Sequence, residues 1–61
     1  MIVKQSRLAE KLTQKQVASY LGISTQSYQA YEAGIALPTL AHLVKLCEIF
    51  NTTPNDLLDF E

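Results

Sequence analysis

Apolar residues recur along this chain of 61 residues at intervals of three and four, which is the period of an amphipathic α-helix. No stretch of any length alternates apolar and polar residues as a β-strand would. Residues that favour helix ends divide the pattern into five segments. The sequence therefore predicts a compact all-α domain with five helices, at about residues 2–10, 14–21, 25–32, 39–50 and 54–59.

Capping signals support these boundaries. Thr13 and Gln16 have the Thr-x-x-Gln spacing of a capping box at the start of the second helix. Gly22 follows that helix at a place where positive φ is expected. The later helices have N-cap candidates at Ser24, Thr39 and Thr53. Asn51 is expected to end the fourth helix in a left-handed conformation.

The apolar stripes predict which side chains form the core. The first helix and the turn after it should contribute Val3, Leu8 and Leu12. The fourth helix should contribute Leu40, Leu43, Leu46, Cys47 and Phe50. Tyr28 and Tyr31 share one face of the third helix, which favours the core, although two tyrosines could also stack on single-stranded nucleic acid.

Two short helices joined by a tight corner are predicted between Gln14 and Gly34. The third helix of the chain, which is the second of this pair, carries a row of small or amide side chains on the face opposite its tyrosines: Thr25, Gln26, Ser27, Gln29 and Ala30. Glutamine forms paired hydrogen bonds with adenine, hydroxyl groups serve either partner, and an alanine methyl packs on the methyl group of thymine. The pattern favours a helix that reads base edges in a major groove, but a solvated helix face would look the same.

This segment resembles the helix-turn-helix of the lambda-type phage repressor family, also called Cro/CI-like or XRE-like. The matching residues are Leu12-Thr13-Gln14, Val17-Ala18, Leu21-Gly22-Ile23-Ser24, Tyr31-Glu32, Gly34 and Pro38. The resemblance covers nearly the whole chain and implies a domain that binds double-stranded DNA.

The resemblance also assigns individual roles on the third helix. Thr25, Gln26 and Ala30 fall on positions that contact bases in the family, and Ser27 falls on one that contacts a phosphate or a base. Gln29, at the helix edge, is a weaker candidate, and Ser24 joins the DNA-binding set at the corner.

Residues outside the third helix are assigned in the same way. Gln14 opens the second helix, where relatives use glutamine to touch the DNA backbone or to support a recognition-helix amide. Lys15 beside it is in reach of a phosphate or is simply solvated. Arg7 and Glu32 match positions that form an ion pair beneath the recognition helix, and Arg7 has further donors for a phosphate.

The segment after the third helix departs from the family pattern. Relatives usually carry Lys or Arg here to hold the DNA backbone, whereas this chain has Ile35, Ala36 and Leu37. Main-chain N–H groups could still meet a phosphate. We expect Ile35 and Leu37 to pack beneath the segment, the alternative being that they face a partner protein.

A single helix-turn-helix contacts too few base pairs for specificity, so a two-fold homodimer is expected. The expected dimer surface is the C-terminal part of the chain, with Val44, Ile49, Leu58 and Phe60. A frayed C-terminal tail is the alternative.

The composition and charge of the chain bear on which partners and which cellular compartment are expected. The formal net charge is −1, and the five basic residues are Lys4, Arg7, Lys11, Lys15 and Lys45. This balance argues against a strong non-specific nucleic-acid binder but leaves a specific one open. The N-terminus is no signal peptide, no apolar run is long enough for a membrane span, and the single cysteine, Cys47, fits a reducing cytoplasm.

No catalytic constellation is present in the sequence, and His42 and Cys47 are too isolated to predict a metal site, so no cofactor is expected. Residues 1–61 are interpreted as a single helix-turn-helix domain. Its expected function is sequence-specific binding of double-stranded DNA in transcription regulation, as a repressor. The alternative is a protein-interaction or oligomerisation module on the same fold, for example one that binds a toxin.

Overall fold

Five α-helices make up the computed structural model, which describes residues 2–58. They are α1 (Val3–Ala9), α2 (Gln14–Leu21), α3 (Thr25–Ala33), α4 (Leu40–Phe50) and α5 (Pro54–Leu57). The all-α prediction is confirmed, and each predicted bound lies within two residues of the observed one. Over the described range, no helix has the length and apolar character needed to cross a membrane.

Side-chain caps start four of the helices. The hydroxyl oxygens of Thr13, Ser24, Thr39 and Thr53 accept hydrogen bonds from main-chain N–H groups in the first turns of α2, α3, α4 and α5. At α2 the capping box is complete, because Gln16 N donates to Thr13 Oγ1 at 3.1 Å and Thr13 N donates to Gln16 Oε1 at 2.8 Å. These caps satisfy N–H groups that a helix leaves unpaired, and they define where each helix begins.

Left-handed residues end α2, α3 and α4. Gly22, Gly34 and Asn51 have φ values of 75°, 76° and 54°. After each of them, the next N–H group turns back to a carbonyl of the preceding helix, and all three hydrogen bonds are 3.0 Å long. This Schellman arrangement stops the helix within one residue, so α2 and α3 meet at a tight corner.

The core combines one or more fully buried side chains from every helix. Val3, Val17, Tyr28, Leu46 and Leu57 are each at most 2% exposed, and they come from α1 to α5 in turn. The first and last elements are also tied directly, because Ile2 N donates to Leu57 O at 3.0 Å. The resulting core holds α2 between α3 and α4, with α1 against α3 and α5 against α4.

The prediction that Leu8 and Leu40 lie in the core is wrong. Leu8 is 55% exposed, because the inward positions of α1 are taken by Val3 and Arg7, one turn apart. Leu40 is 78% exposed, because it begins α4, whereas the fully buried positions of that helix all lie in its second half.

The two tyrosines of α3 face inward as predicted. Tyr28 is fully buried, and Tyr31 is half-buried against the core, with the two rings edge to face at 6.5 Å between centroids. The hydroxyl of Tyr31 is hydrogen-bonded to Nδ1 of His42 at 2.9 Å, which links α3 to α4. Because the ring of Tyr28 is fully buried, the two tyrosines cannot stack on nucleobases as a pair.

Lys11 has a φ of 58° in the turn between α1 and α2, a conformation that is unfavourable for a residue with a side chain. We expect Lys11→Gly to raise the free energy of unfolding by about 0.5–1 kcal/mol, since glycine removes this strain. Urea denaturation measures the change. The matched control is Lys45→Gly in the middle of α4, which should lower the same free energy by about 1 kcal/mol. Equal losses in the two variants would show that Lys11 is not strained.

Candidate nucleic-acid interface

The outer face of α3 is open to solvent. Gln26, Ser27 and Gln29 are exposed, and Thr25 and Ala30 at its margins are half-buried. Tyr28, on the opposite face, is fully buried and holds the helix against the core. No part of the chain between residues 2 and 58 covers the row of hydroxyl and amide groups, so it is accessible to a partner.

Ser24 and Ser27 share a local hydrogen-bond pattern at the start of α3. Ser24 Oγ accepts from Ser27 N at 3.1 Å and donates to Ser27 Oγ at 2.9 Å. The hydroxyl of Ser24 is thus occupied as the N-cap, whereas the hydroxyl hydrogen of Ser27 is not committed by this pattern. Of the two serines in the expected DNA-binding set, Ser27 is the one whose side chain can donate outward.

Gln14 joins α2 to two places on α3. Its Nε2 donates to Glu32 Oε1 at 3.0 Å, and its Oε1 accepts from Gln29 Nε2 at 3.0 Å. The first turn of α2 therefore lies directly beside the outer face of α3. Since Thr13 caps only the N–H of Gln16, the N–H groups of Gln14 and Lys15 are left at the helix start, where an anion would be favoured.

Beneath this surface, Arg7 and Glu32 form the expected ion pair. Arg7 Nε donates to Glu32 Oε2 at 2.6 Å, and Arg7 Nη1 donates to Leu12 O at 2.8 Å. Their side chains are only 10% and 6% exposed. A phosphate contact by Arg7 stays untested, and the structure disfavours it because the side chain is 10% exposed and two of its donors are used inside the domain.

The environment of the pair favours its charged form. Burial alone would raise the pKa of Glu32, but the hydrogen bonds that its carboxylate accepts from Arg7 and Gln14, together with the positive charge of Arg7, outweigh that effect and lower the pKa. The hydrogen bond to Glu32 raises the pKa of Arg7 against the opposing effect of burial. Burial also raises the pKa of Tyr28, whose hydroxyl lies near the pair but has no hydrogen-bond partner among the described residues. Glu32 is thus an ionised carboxylate that only accepts hydrogen bonds.

The segment that follows α3 differs from its predicted packing. Ile35 is 83% exposed and Leu37 is 76% exposed, so neither packs beneath the segment. The N–H groups of Ile35 and Ala36 both donate to Ala30 O, at 3.0 and 3.3 Å. These two N–H groups close the end of α3 and are not available for a phosphate.

Residues 3–57 match the family described as Helix-turn-helix. The chain belongs to the helix-turn-helix family. A relative in Vibrio cholerae, the cryptic phage CTXphi transcriptional repressor RstR, is 41% identical over 51 residues, which cover 84% of this chain and 46% of the relative. The SPbeta prophage-derived HTH-type transcriptional regulator YonR of Bacillus subtilis is 38% identical over 56 residues, covering 92% of this chain and 52% of the relative.

A third relative, the HTH-type transcriptional regulator AnsR of Bacillus subtilis, is 41% identical over 44 residues, covering 72% of this chain and 38% of the relative. The chain thus spans about half the length, or less, of these curated relatives. No solved structure matches it.

One contact of this helix-turn-helix was predicted only in general terms, and another was missed. The resemblance implied that Gln14 could support an amide of the recognition helix, and the hydrogen bond from Gln29 to Gln14 identifies that amide as Gln29, which had been placed at the helix edge. The contact between Tyr31 and His42 was not predicted. In both cases the partners are more than ten residues apart in different helices, and only the packing angle of those helices brings them together.

The ion pair of the helix-turn-helix should dominate its stability. We expect Glu32→Ala to lower the free energy of unfolding by about 3 kcal/mol or more, because it leaves a buried arginine without its partner. That loss is a large share of the ~3–9 kcal/mol available to a domain of this size. Gln29→Ala, which removes one exposed hydrogen bond, should cost less than about 1 kcal/mol. Thermal and urea denaturation measure both, and equal melting temperatures for the two variants would refute the role of the pair.

Proposed function

We propose that this domain binds double-stranded DNA in a sequence-specific manner and acts in the cytoplasm as a transcriptional repressor. The observation that carries the proposal is the uncovered row of amide and hydroxyl groups on α3, set above a buried ion pair and beside the start of α2. An α-helix with such a face fits the major groove, where these groups can pair with base edges. The relatives named as a phage repressor and as HTH-type regulators support the same function.

The expected contacts divide between bases and backbone. Gln26 is the leading candidate for a paired hydrogen bond to a base, with Thr25 and Ala30 beside it. Ser27, Lys15 and the open N–H groups at the start of α2 are suited to phosphates. Because the side chain of Arg7 is buried, the basic residues left to supply positive charge are Lys4, Lys11, Lys15 and Lys45.

Gln26→Ala should relax the preference at one base position without abolishing binding, because the substitution removes one base contact and keeps the helix. Selection of bound duplexes from a random pool measures this, with the exposed residue Gln5 of α1 changed to alanine as the matched control. Binding should also weaken only gradually with salt, with a log–log slope no steeper than about −4 per copy for four lysines. The proposal fails if the unaltered chain enriches no sequence.

An apolar surface, defined here as Ile35, Leu37, Leu40 and Val44, suggests how two copies associate. These side chains are 83%, 76%, 78% and 49% exposed, and Leu40 and Val44 lie one turn apart on α4. No charged residue occurs between residues 33 and 44. An uncharged apolar patch can face its own copy across a two-fold axis without repulsion between like charges.

We therefore assign the homodimer to this apolar surface, which changes the set expected from the sequence. Val44 is retained as part of this surface, and Leu58, 38% exposed at the end of α5, is retained as a separate candidate. Ile49 is removed because it packs against the core, and Phe60 lies outside the described residues. Dimerisation would double the few lysines and pair two recognition helices for one pseudo-palindromic operator.

Leu40→Glu should convert the dimer to a monomer, because it places a charge in the middle of the buried patch. Sedimentation equilibrium over a range of concentrations measures this, and Leu8→Glu on α1, also exposed, is the matched control that should leave the dimer intact. A chain that is monomeric at every concentration would overturn the assignment, and would point to a different protein or a longer form of the chain as the partner of this surface.

A further inference from the structure

A continuous line of hydrogen bonds leads from the buried ion pair to the exposed face of α3. Arg7 Nε contacts Glu32 Oε2 at 2.6 Å, and Glu32 Oε1 accepts from Gln14 Nε2 at 3.0 Å. Gln14 Oε1 in turn accepts from Gln29 Nε2 at 3.0 Å. We call Gln14 and Gln29 the amide relay. The relay begins at a charge shielded from solvent and ends at a side chain that is open to it.

The chemistry of Glu32 determines the direction of every step. A carboxylate only accepts hydrogen bonds, so the amide of Gln14 must turn its NH₂ group toward Glu32. The side-chain oxygen of Gln14 then points to α3, and Gln29 must donate a hydrogen bond to it from its own NH₂ group. Reversing either amide would set two oxygens against each other and lose a hydrogen bond.

The relay therefore gives the outermost amide a fixed polarity. One N–H of Gln29 is committed to Gln14, which leaves its carbonyl oxygen and its second N–H for a partner in solvent. A glutamine without such a contact could present either end of its amide to a base. Gln26, exposed on the same helix and outside the relay, is the natural comparison.

We propose that Glu32 acts through Gln14 as a positioning residue for Gln29, so that Gln29 directs its carbonyl oxygen, and not its remaining N–H, to the major groove and selects a base with an exocyclic amino group. Adenine and cytosine display such a group there, whereas guanine and thymine display acceptors at the corresponding places. This inference rests on the proposed function, since it concerns which base the DNA-binding surface prefers at one position.

Duplex selection from a random pool tests the base preference in four chains: the unaltered chain, Gln14→Met, Gln29→Ala and Gln5→Met. The position that loses its preference in Gln29→Ala should carry adenine or cytosine in the unaltered chain. Gln14→Met keeps Gln29 but frees its amide to turn, so the ratio of adenine and cytosine to guanine and thymine at that position should fall about fivefold or more. Gln5→Met, outside the relay, should leave the ratio unchanged.

Side-chain amide NMR tests the relay without DNA. The two NH₂ protons of Gln29 should have well-separated resonances in the unaltered chain, because one of them is hydrogen-bonded, and those of Gln26 should lie closer together. In Gln14→Met the resonances of Gln29 should move toward the pattern of Gln26. Gln14→Ala provides the same test if the methionine variant does not fold.

The outcomes separate this inference from the proposed function. Enrichment of a sequence with guanine or thymine at the position of Gln29, or with a ratio that Gln14→Met leaves unchanged, overturns the inference and leaves DNA binding intact. Enrichment in which no position depends on Gln29 does the same. If no sequence is enriched, the proposed function fails and the base selection with it, while unchanged Gln29 resonances in the Gln14 variants would refute the relay itself.

Discussion

The contact between Arg7 and Glu32 is the interaction on which the rest of this domain depends. It joins α1 to α3 beneath the surface, and Arg7 also holds Leu12 O in the turn before α2. Taking two charges out of water is costly, and the cost is offset only when nearly all of their hydrogen-bonding groups find partners. Here both carboxylate oxygens and two guanidinium nitrogens do so, which places three helices relative to one another.

The polar network extends this constraint to the surface. The carboxylate holds Gln14, Gln14 holds Gln29, and the outer face of α3 is thus supported from inside the protein. A chain with few basic residues gains little from general attraction to phosphates, so the orientation of individual donors and acceptors matters more. Side chains that are held in place before binding lose less conformational freedom when they meet a ligand.

The two ends of α3 have different chemical character. At its start, hydroxyl groups cap the helix and leave a donor facing solvent. At its end, the Schellman turn at Gly34 uses the N–H groups of Ile35 and Ala36, and the residues that follow are apolar and exposed. The same helix therefore separates a polar surface suited to base edges from an uncharged surface suited to protein.

The helix boundaries could be predicted from the sequence, because the signals for them are local. Thr13 with Gln16, and Ser24, Thr39 and Thr53, act on N–H groups within three residues, and Gly22, Gly34 and Asn51 stop helices through their own φ angles. The resemblance added the expected pairing of Arg7 with Glu32. The helical stripes predicted several buried residues correctly, but Leu8 and Leu40 fit the same stripes and are exposed, because burial also depends on where the helices contact one another. The resemblance also implied that Gln14 could support an amide of α3, but only the packing of the helices identifies that amide as Gln29, because 15 residues separate the two and their contact depends on the angle at which α2 and α3 cross.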